Sequence, residues 1–209
     1  PKGDLQRLIE ALDKGWQLPD LRCDSRLLKT LQPALADGHR GITAAVSKAK
    51  TIVALWPGLH EVAYGVAVDV GSTTIAADLC DLTSGEVLGS ASAMNPQIRF
   101  GEDLMSRVSY VMMHPEGAEE MTRAIRQALN KLFAEVVAQV DGTLDDILEV
   151  SLVANPIMHH ILLGISPVEL GGAPFALATD AAVEIPAWEL ELTINGGGRL
   201  YILPLSLIH

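Results

Sequence analysis

A nearly all-apolar run, Tyr64-Gly65-Val66-Ala67-Val68-Asp69-Val70, closes on an acid and passes directly into Gly71-Ser72-Thr73-Thr74. So short and so apolar a run fits a strand buried on both faces. The polar residues that follow make a turn, and residues 75–82 resume an extended pattern. Thr83-Ser84-Gly85-Glu86 supplies another turn, after which residues 87–93 read as a third strand. Three strands joined by two tight turns form a meander. Ala, Gly and Asp are weak strand formers, so packing from elsewhere must hold this meander in place.

The first of these turns carries the chemistry. A carboxylate at the end of a buried strand is costly unless a cation or hydrogen bonds satisfy it. Mg²⁺, directly or through its waters, suits Asp69 in that position. Gly71 lets the backbone approach a ligand closely. Ser72, Thr73 and Thr74 offer three hydroxyls, and the turn offers backbone N–H groups in an anion-sized concavity. Donors beside a metal-binding acid make a triphosphate site. This is not a P-loop, which needs a Lys and opens a helix; here a hairpin follows the glycine. From these residues alone, a plain turn rich in Asp, Gly and Thr remains the alternative.

The flanking sequence supplies the rest of an α/β chain. Asp4 can cap a helix with Leu5, Leu8, Ile9 and Leu12 on one face and Gly15 at its end. A second helical stretch carries Leu27, Leu28 and Leu31 and should stop before Pro33. Residues 42–46 and 51–55 read as a strand pair, so residues 1–61 form a small α+β domain. Beyond the meander, helices are predicted over 101–112 and 118–140. The second has Met121, Ile125, Leu129, Leu132, Val136 and Val140 at three- and four-residue steps. Thr143 and Asp146 mark a helical turn, residues 147–153 a strand, and residues 156–163 a helix ending at Gly164. Trp188, Leu190, Leu192 and Ile194 alternate with polar residues as in a half-buried strand. Gly196-Gly197-Gly198 turns it into residues 200–203.

Composition removes several classes of function. The net charge is −11, and no cluster of Lys and Arg is present to grip a phosphate backbone, which argues against nucleic acid. Cys23 and Cys80 lie too far apart in sequence for a CxxC metal or cluster spacing and read as buried reduced thiols. A reducing, cytoplasmic location follows, with no membrane span, since no apolar stretch approaches the roughly 20 residues required. Both termini read as cuts in a longer protein.

Residues 64–76 resemble the first phosphate motif of the ASKHA superfamily, which includes acetate and sugar kinases and actin. Three blocks are more narrowly similar to the reductive activators of corrinoid proteins. They are Asp69–Thr74, then Met94-Asn95-Pro96-Gln97-Ile98-Arg99-Phe100-Gly101-Glu102-Asp103-Leu104-Met105-Ser106-Arg107, then Leu152-Val153-Ala154-Asn155-Pro156-Ile157-Met158-His159-His160. Gly172-Ala173-Pro174-Phe175 is similar too. The resemblance implies a small middle domain over 1–61 and, over 62–209, the first lobe of a ribonuclease-H-like, actin-like ATPase domain with a mixed, five-stranded type of sheet. It implies ATP-dependent reduction of Co(II) corrinoid to Co(I), with a corrinoid protein as partner. The electron would come from a ferredoxin-like [2Fe-2S] domain of the same parent chain. ATP and Mg²⁺ would be the cofactors, Asp69 serving the metal, Gly71, Ser72, Thr73 and Thr74 the phosphates, and Asn155 the phosphate side. A homodimer is left open. Two rivals stay open as well: a small-molecule kinase of the same superfamily, and a non-catalytic actin-like interaction module.

Smaller features have structural readings. His159 and His160 are adjacent on a helix and point about 100° apart, so they rarely share one metal ion; a structural or partner-facing role is expected. Glu102 and Asp103 suit a helix start, and Arg99 and Arg107 are candidates to pair with them. Because the resemblance implies a second lobe with its own nucleotide contacts, residues 1–209 alone are expected to bind ATP weakly or not at all. Micromolar affinity of this stretch in titration calorimetry would contradict that.

Overall fold

The computed structural model describes residues 2–205. Pro1 and residues 206–209, on which the reading of the termini partly rests, lie outside that range. The chain begins with α1 (Asp4–Trp16), β1 (Arg22–Cys23), α2 (Ser25–Asp37), β2 (Ile42–Ser47) and β3 (Thr51–Pro57). Leu5, Leu8, Ile9 and Leu12 of α1 pack on a core of Leu21, Leu27, Leu31, Ile52 and Leu55. Gly3, not Asp4, holds the N-cap position; Asp4 sits in the first turn, where a negative charge suits the helix dipole. The helix also runs through Gly15, ending where Gln17 turns left-handed at φ 55°.

Pro33 does not end the second helix but lies inside α2. An interior proline costs about 3 kcal/mol. Burying Leu27 and Leu31 on one side of it and Ala34 on the other outweighs that, at about 1.5–3 kcal/mol per large side chain. The expected strand pair is present as antiparallel β2 and β3. A strand of two residues, β1, adds to β3 in parallel; it is too short to leave a sequence pattern.

The second sheet contains β4 (Tyr64–Val70), β5 (Thr74–Asp81), β6 (Val87–Met94), β7 (Ile147–Ala154), β8 (Val183–Pro186) and β9 (Arg199–Ile202), in the order β6-β5-β4-β7-β9-β8. The meander β4-β5-β6 is antiparallel, and β7 and β9 run parallel to β4. This is the ribonuclease-H-like order, extended by one antiparallel edge strand, β8. The helices are α3 (Leu104–Met113), α4 (Gly117–Val137) and α5 (Pro156–Leu163). Met121, Ile125, Leu129, Leu132 and Val136 of α4 face the sheet and are buried. Thr143 and Asp146 form a capping box around a short helical turn, as their spacing predicts.

Two expectations are corrected. Strand β4 is not buried on both faces: Val66, Val68 and Val70 enter the core, whereas Ala67 and Asp69 are exposed. Helices α4 and α5 fill one face, and the other is open around these positions. Nor is the alternating segment at 188–194 a strand. Ala187–Leu190 is a 3-10 turn, Glu191 is left-handed at φ 57°, and the side chain of Asn130 bonds Glu191 O and Thr193 N at 2.9 and 2.8 Å. Leu190 and Leu192, with Ile194 partly buried after them, tuck into the interior from a loop and so mimic a period of two.

The first unit is joined to the second by side-chain and backbone contacts. Trp56 Nε1 donates to Asp145 at 3.2 Å, and His60 Nε2 lies 2.8 Å from Asp146. Lys48 pairs with Glu184, and Arg26 lies 3.8 Å from the Trp188 ring centroid. Core truncation should dominate stability: Leu129→Ala is expected to lower the unfolding free energy by about 2–5 kcal/mol. Val87→Ala, at a site 59% exposed, should change it by less than about 0.5 kcal/mol in the same urea titration.

Candidate functional site

Parallel pairing sets two chain segments side by side. Val70 lies opposite Ala154 in the ladder between β4 and β7. The turn 71–74 and Asn155 therefore leave the sheet at the same end. Strand ends of this kind are where α/β sheets bind ligands.

Asp69 sits one residue before the end of β4, with Ala76 and Val153 as its neighbours on the adjacent strands. All three are exposed. The acid is solvated on the open face of the sheet, at the end where β4 and β7 both stop, and not buried as its apolar context suggests. It forms no ion pair among the described residues. Thr73 and Thr74 are exposed, and Gly71 and Ser72 half-buried. A side chain at position 71 is excluded: a Cβ there would lie 2.6 Å from the Thr74 carbonyl oxygen.

The turn is held from behind by two fully buried polar residues, Asn95 and Arg107. Asn95 Nδ2 donates to Gly71 O at 2.8 Å, and its backbone N donates to Thr73 O at 2.8 Å. Its Oδ1 accepts from Gln97 N and starts the 3-10 turn Pro96–Phe100. Arg107 Nε donates to Gly101 O at 2.9 Å, and Nη2 donates to Ser72 O. Nη1 lies 3.3 Å from Met158 Sδ, which is also 3.6 Å from Asn95 Nδ2. Burial lowers the pKa of the Arg107 guanidinium, with the charge of Asp103 acting in the opposite direction. Close packing reaches Gly101 too, where a Cβ would meet Ser106 Oγ at 2.4 Å.

Sequence spacing suggested that Arg99 and Arg107 pair with Glu102 and Asp103. They do not. Asp103 caps α3 by accepting from Ser106 N at 2.7 Å, which holds its pKa down. Arg99 lies over the Phe100 ring at 4.5 Å. Asn95 and Arg107 sit inside a sequence block singled out above, but nothing in the spacing tells which carbonyls they reach.

Asn155 caps α5, its Oδ1 accepting from Met158 N at 3.0 Å. Beside it lies a cavity of about 430 Å³ with apolar walls that include Leu104, Ile157, Leu170 and Phe175. The two histidines are buried in α5. His160 is structural: Nδ1 lies 2.8 Å from Pro156 O, and Nε2 accepts from Ala178 N at 3.0 Å, which fits the neutral Nδ1–H tautomer. Among the described residues His159 has no hydrogen-bond partner on either ring nitrogen, and burial followed by its neighbour His160 depresses its pKa. No group of three or more metal-ligating side chains occurs among the described residues, and no helix there is long and apolar enough to cross a membrane.

Residues 64–207 match the family model described as the RACo middle region, and residues 1–62 the RACo linker region. The chain is 33% identical over 142 residues to the corrinoid activation enzyme RamQ of Eubacterium limosum, an alignment covering 68% of this chain and 24% of that protein. It superposes on a solved reductive activator for corrinoid, iron-sulfur protein with a TM-score of 0.82 and 29% identity, over 98% of this chain and 33% of that one. The chain thus spans about a quarter of the curated relative it matches and a third of the solved structure.

The contacts above rank the polar residues by structural weight. Asn95→Ala strips the Gly71 carbonyl of a buried donor and should cost about 1–3 kcal/mol of stability. Asn155→Ala removes a helix cap and should cost about 0.5–2 kcal/mol. Chemical denaturation of both variants checks the order.

Proposed function

On the footing that this chain belongs to the RACo family, with both its linker and middle regions, we propose that it forms the linker and first nucleotide-binding lobe of an ATP-driven activator that returns Co(II) corrinoid to Co(I). The observation that carries the nucleotide reading is the placement of one acid. Asp69 is solvated on the open sheet face, two residues ahead of Gly71 in a turn with two exposed threonines.

The donor set fits the ligand. Carboxylate oxygen suits a hard cation such as Mg²⁺, held directly or through water. Asp69 would hold that ion. Hydroxyls and backbone N–H groups in a turn suit phosphate oxygens, and Gly71 leaves room that a Cβ would take from the Thr74 carbonyl. Gly71, Ser72, Thr73 and Thr74 would hold the phosphates, and Asn155 would lie on the phosphate side. When bound, MgATP supplies the free energy of phosphoryl hydrolysis. This chain's part is to bind and orient the phosphates on a rigid sheet end. Its two cysteines, one on each unit, do not make a cluster site, so the electron would come from a [2Fe-2S] domain elsewhere in the parent protein. The corrinoid protein is the partner whose cobalt is reduced. A cytoplasmic setting agrees with free thiols.

The test uses the full-length protein. Asp69→Asn should lower ATP hydrolysis and cobalt reduction, followed by corrinoid absorbance, by about 100-fold or more. That is the scale lost on removing one preorganised charge-stabilising group. The melting temperature should hold, because the Asp69 side chain has no ion-pair partner among the described residues. Undiminished hydrolysis and reduction in Asp69→Asn would overturn the assignment.

A further inference from the structure

Three successive carbonyls of the 71–74 turn are tied down on one side. Gly71 O accepts from Asn95 Nδ2, Ser72 O from Arg107 Nη2, and Thr73 O from Asn95 N. A trans peptide is planar, so the N–H of each following residue points opposite to the carbonyl before it. Fixing Gly71 O toward Asn95 turns the Ser72 N–H the other way. Fixing Ser72 O toward Arg107 does the same for the Thr73 N–H. Neither N–H finds an acceptor among the described residues. The two amides are therefore held outward and uncommitted, next to the exposed hydroxyl of Thr73.

Arg107 adds a second effect. It is fully buried, and its three hydrogen-bonding partners are two carbonyls and a thioether. None of them is an anion. A buried charge without a carboxylate contact is costly, and here it stands directly behind the turn. An anion on the far side of that turn would offset the cost through the short, poorly screened distance between them. The guanidinium's fixed fork reaches Gly101, Ser72 and Met158 at once, which a lysine's single ammonium cannot do.

We propose that Arg107 is a positioning residue: by pinning the Ser72 carbonyl, with Asn95 pinning its neighbours, it aims the Ser72 and Thr73 amides at a bound polyphosphate and places a buried positive charge, touched by no carboxylate, behind it. This rests on reading the turn as the phosphate site. Met158 takes part as the shared soft acceptor that orients both buried donors.

The experiment measures MgATP and adenosine binding by calorimetry on the full-length protein, comparing wild type, Arg107→Lys and Met158→Leu. Adenosine lacks phosphates and reports the rest of the site. Arg107→Lys should raise the Kd for MgATP about 10–100-fold, the range for one or two charge-assisted contacts, and leave adenosine binding unchanged. Met158→Leu conserves volume and should weaken MgATP binding by a smaller factor, again without affecting adenosine. It decides the matter alone if Arg107→Lys does not fold. Equal losses for both ligands, or no loss for MgATP, would overturn the positioning role while wild-type binding stands. A folded wild type that binds adenosine but gains nothing from the phosphates would remove the phosphate reading itself, and the inference with it.

Discussion

The parallel ladder between β4 and β7 is the constraint on which the rest of the site depends. Hydrogen bonding in register from Gly65 opposite Glu149 to Val70 opposite Ala154 brings together residues more than eighty positions apart in sequence. It sets the glycine turn and the cap of α5 at one sheet end. The valines of β4 and the apolar stripe of α4 then supply the burial that holds the ladder. A slip of one residue would exchange the faces of β4, sending Asp69 into the core and Val68 or Val70 out. Burying an unpaired carboxylate there is costly enough to exclude the slipped register.

Behind that sheet end, buried polar groups do what apolar packing cannot. Asn95, Gln97 and Arg107 all lie in the single block from 94 to 107, and each reaches a backbone carbonyl outside its own turn or helix. Such bonds fix carbonyl direction as well as position. A core of leucines would leave the turn free to rotate its peptide planes. Asn95 and Arg107 therefore give the loop a defined orientation from fully buried positions.

Much of this was legible in the sequence, because periodicity reports burial. The meander, α4, β7 and α5 have patterns long enough to read, and the turn at 71–74 falls between β4 and β5 where its residues place it. What was not legible has physical causes. Strand β1 is two residues long and β8 four, too short for a period to emerge. Pro33 was overridden by the leucines that flank it. Residues 188–194 alternate because a loop dips in and out of the core, which linear pattern cannot separate from a strand. The acid–base pairing expected for Arg107 failed because Asp103 is committed to capping its own helix, leaving the guanidinium to turn inward. Asp69 lies on the uncovered face, and one-sided burial is invisible where the outward neighbours are as small as Ala67.

The joint between the two units has a further property. At Gly197 a single added methyl group would stand 2.1 Å from the Val53 carbonyl oxygen, so main chain meets main chain there with no side chain between to yield. Trp56 and His60 stack at 4.3 Å and reach neighbouring aspartates just before the strand that leads into Asn155. Such contacts leave no slack between the two units: displacing one against the other would have to break main-chain packing at Gly197 and the Trp56–His60 stack together.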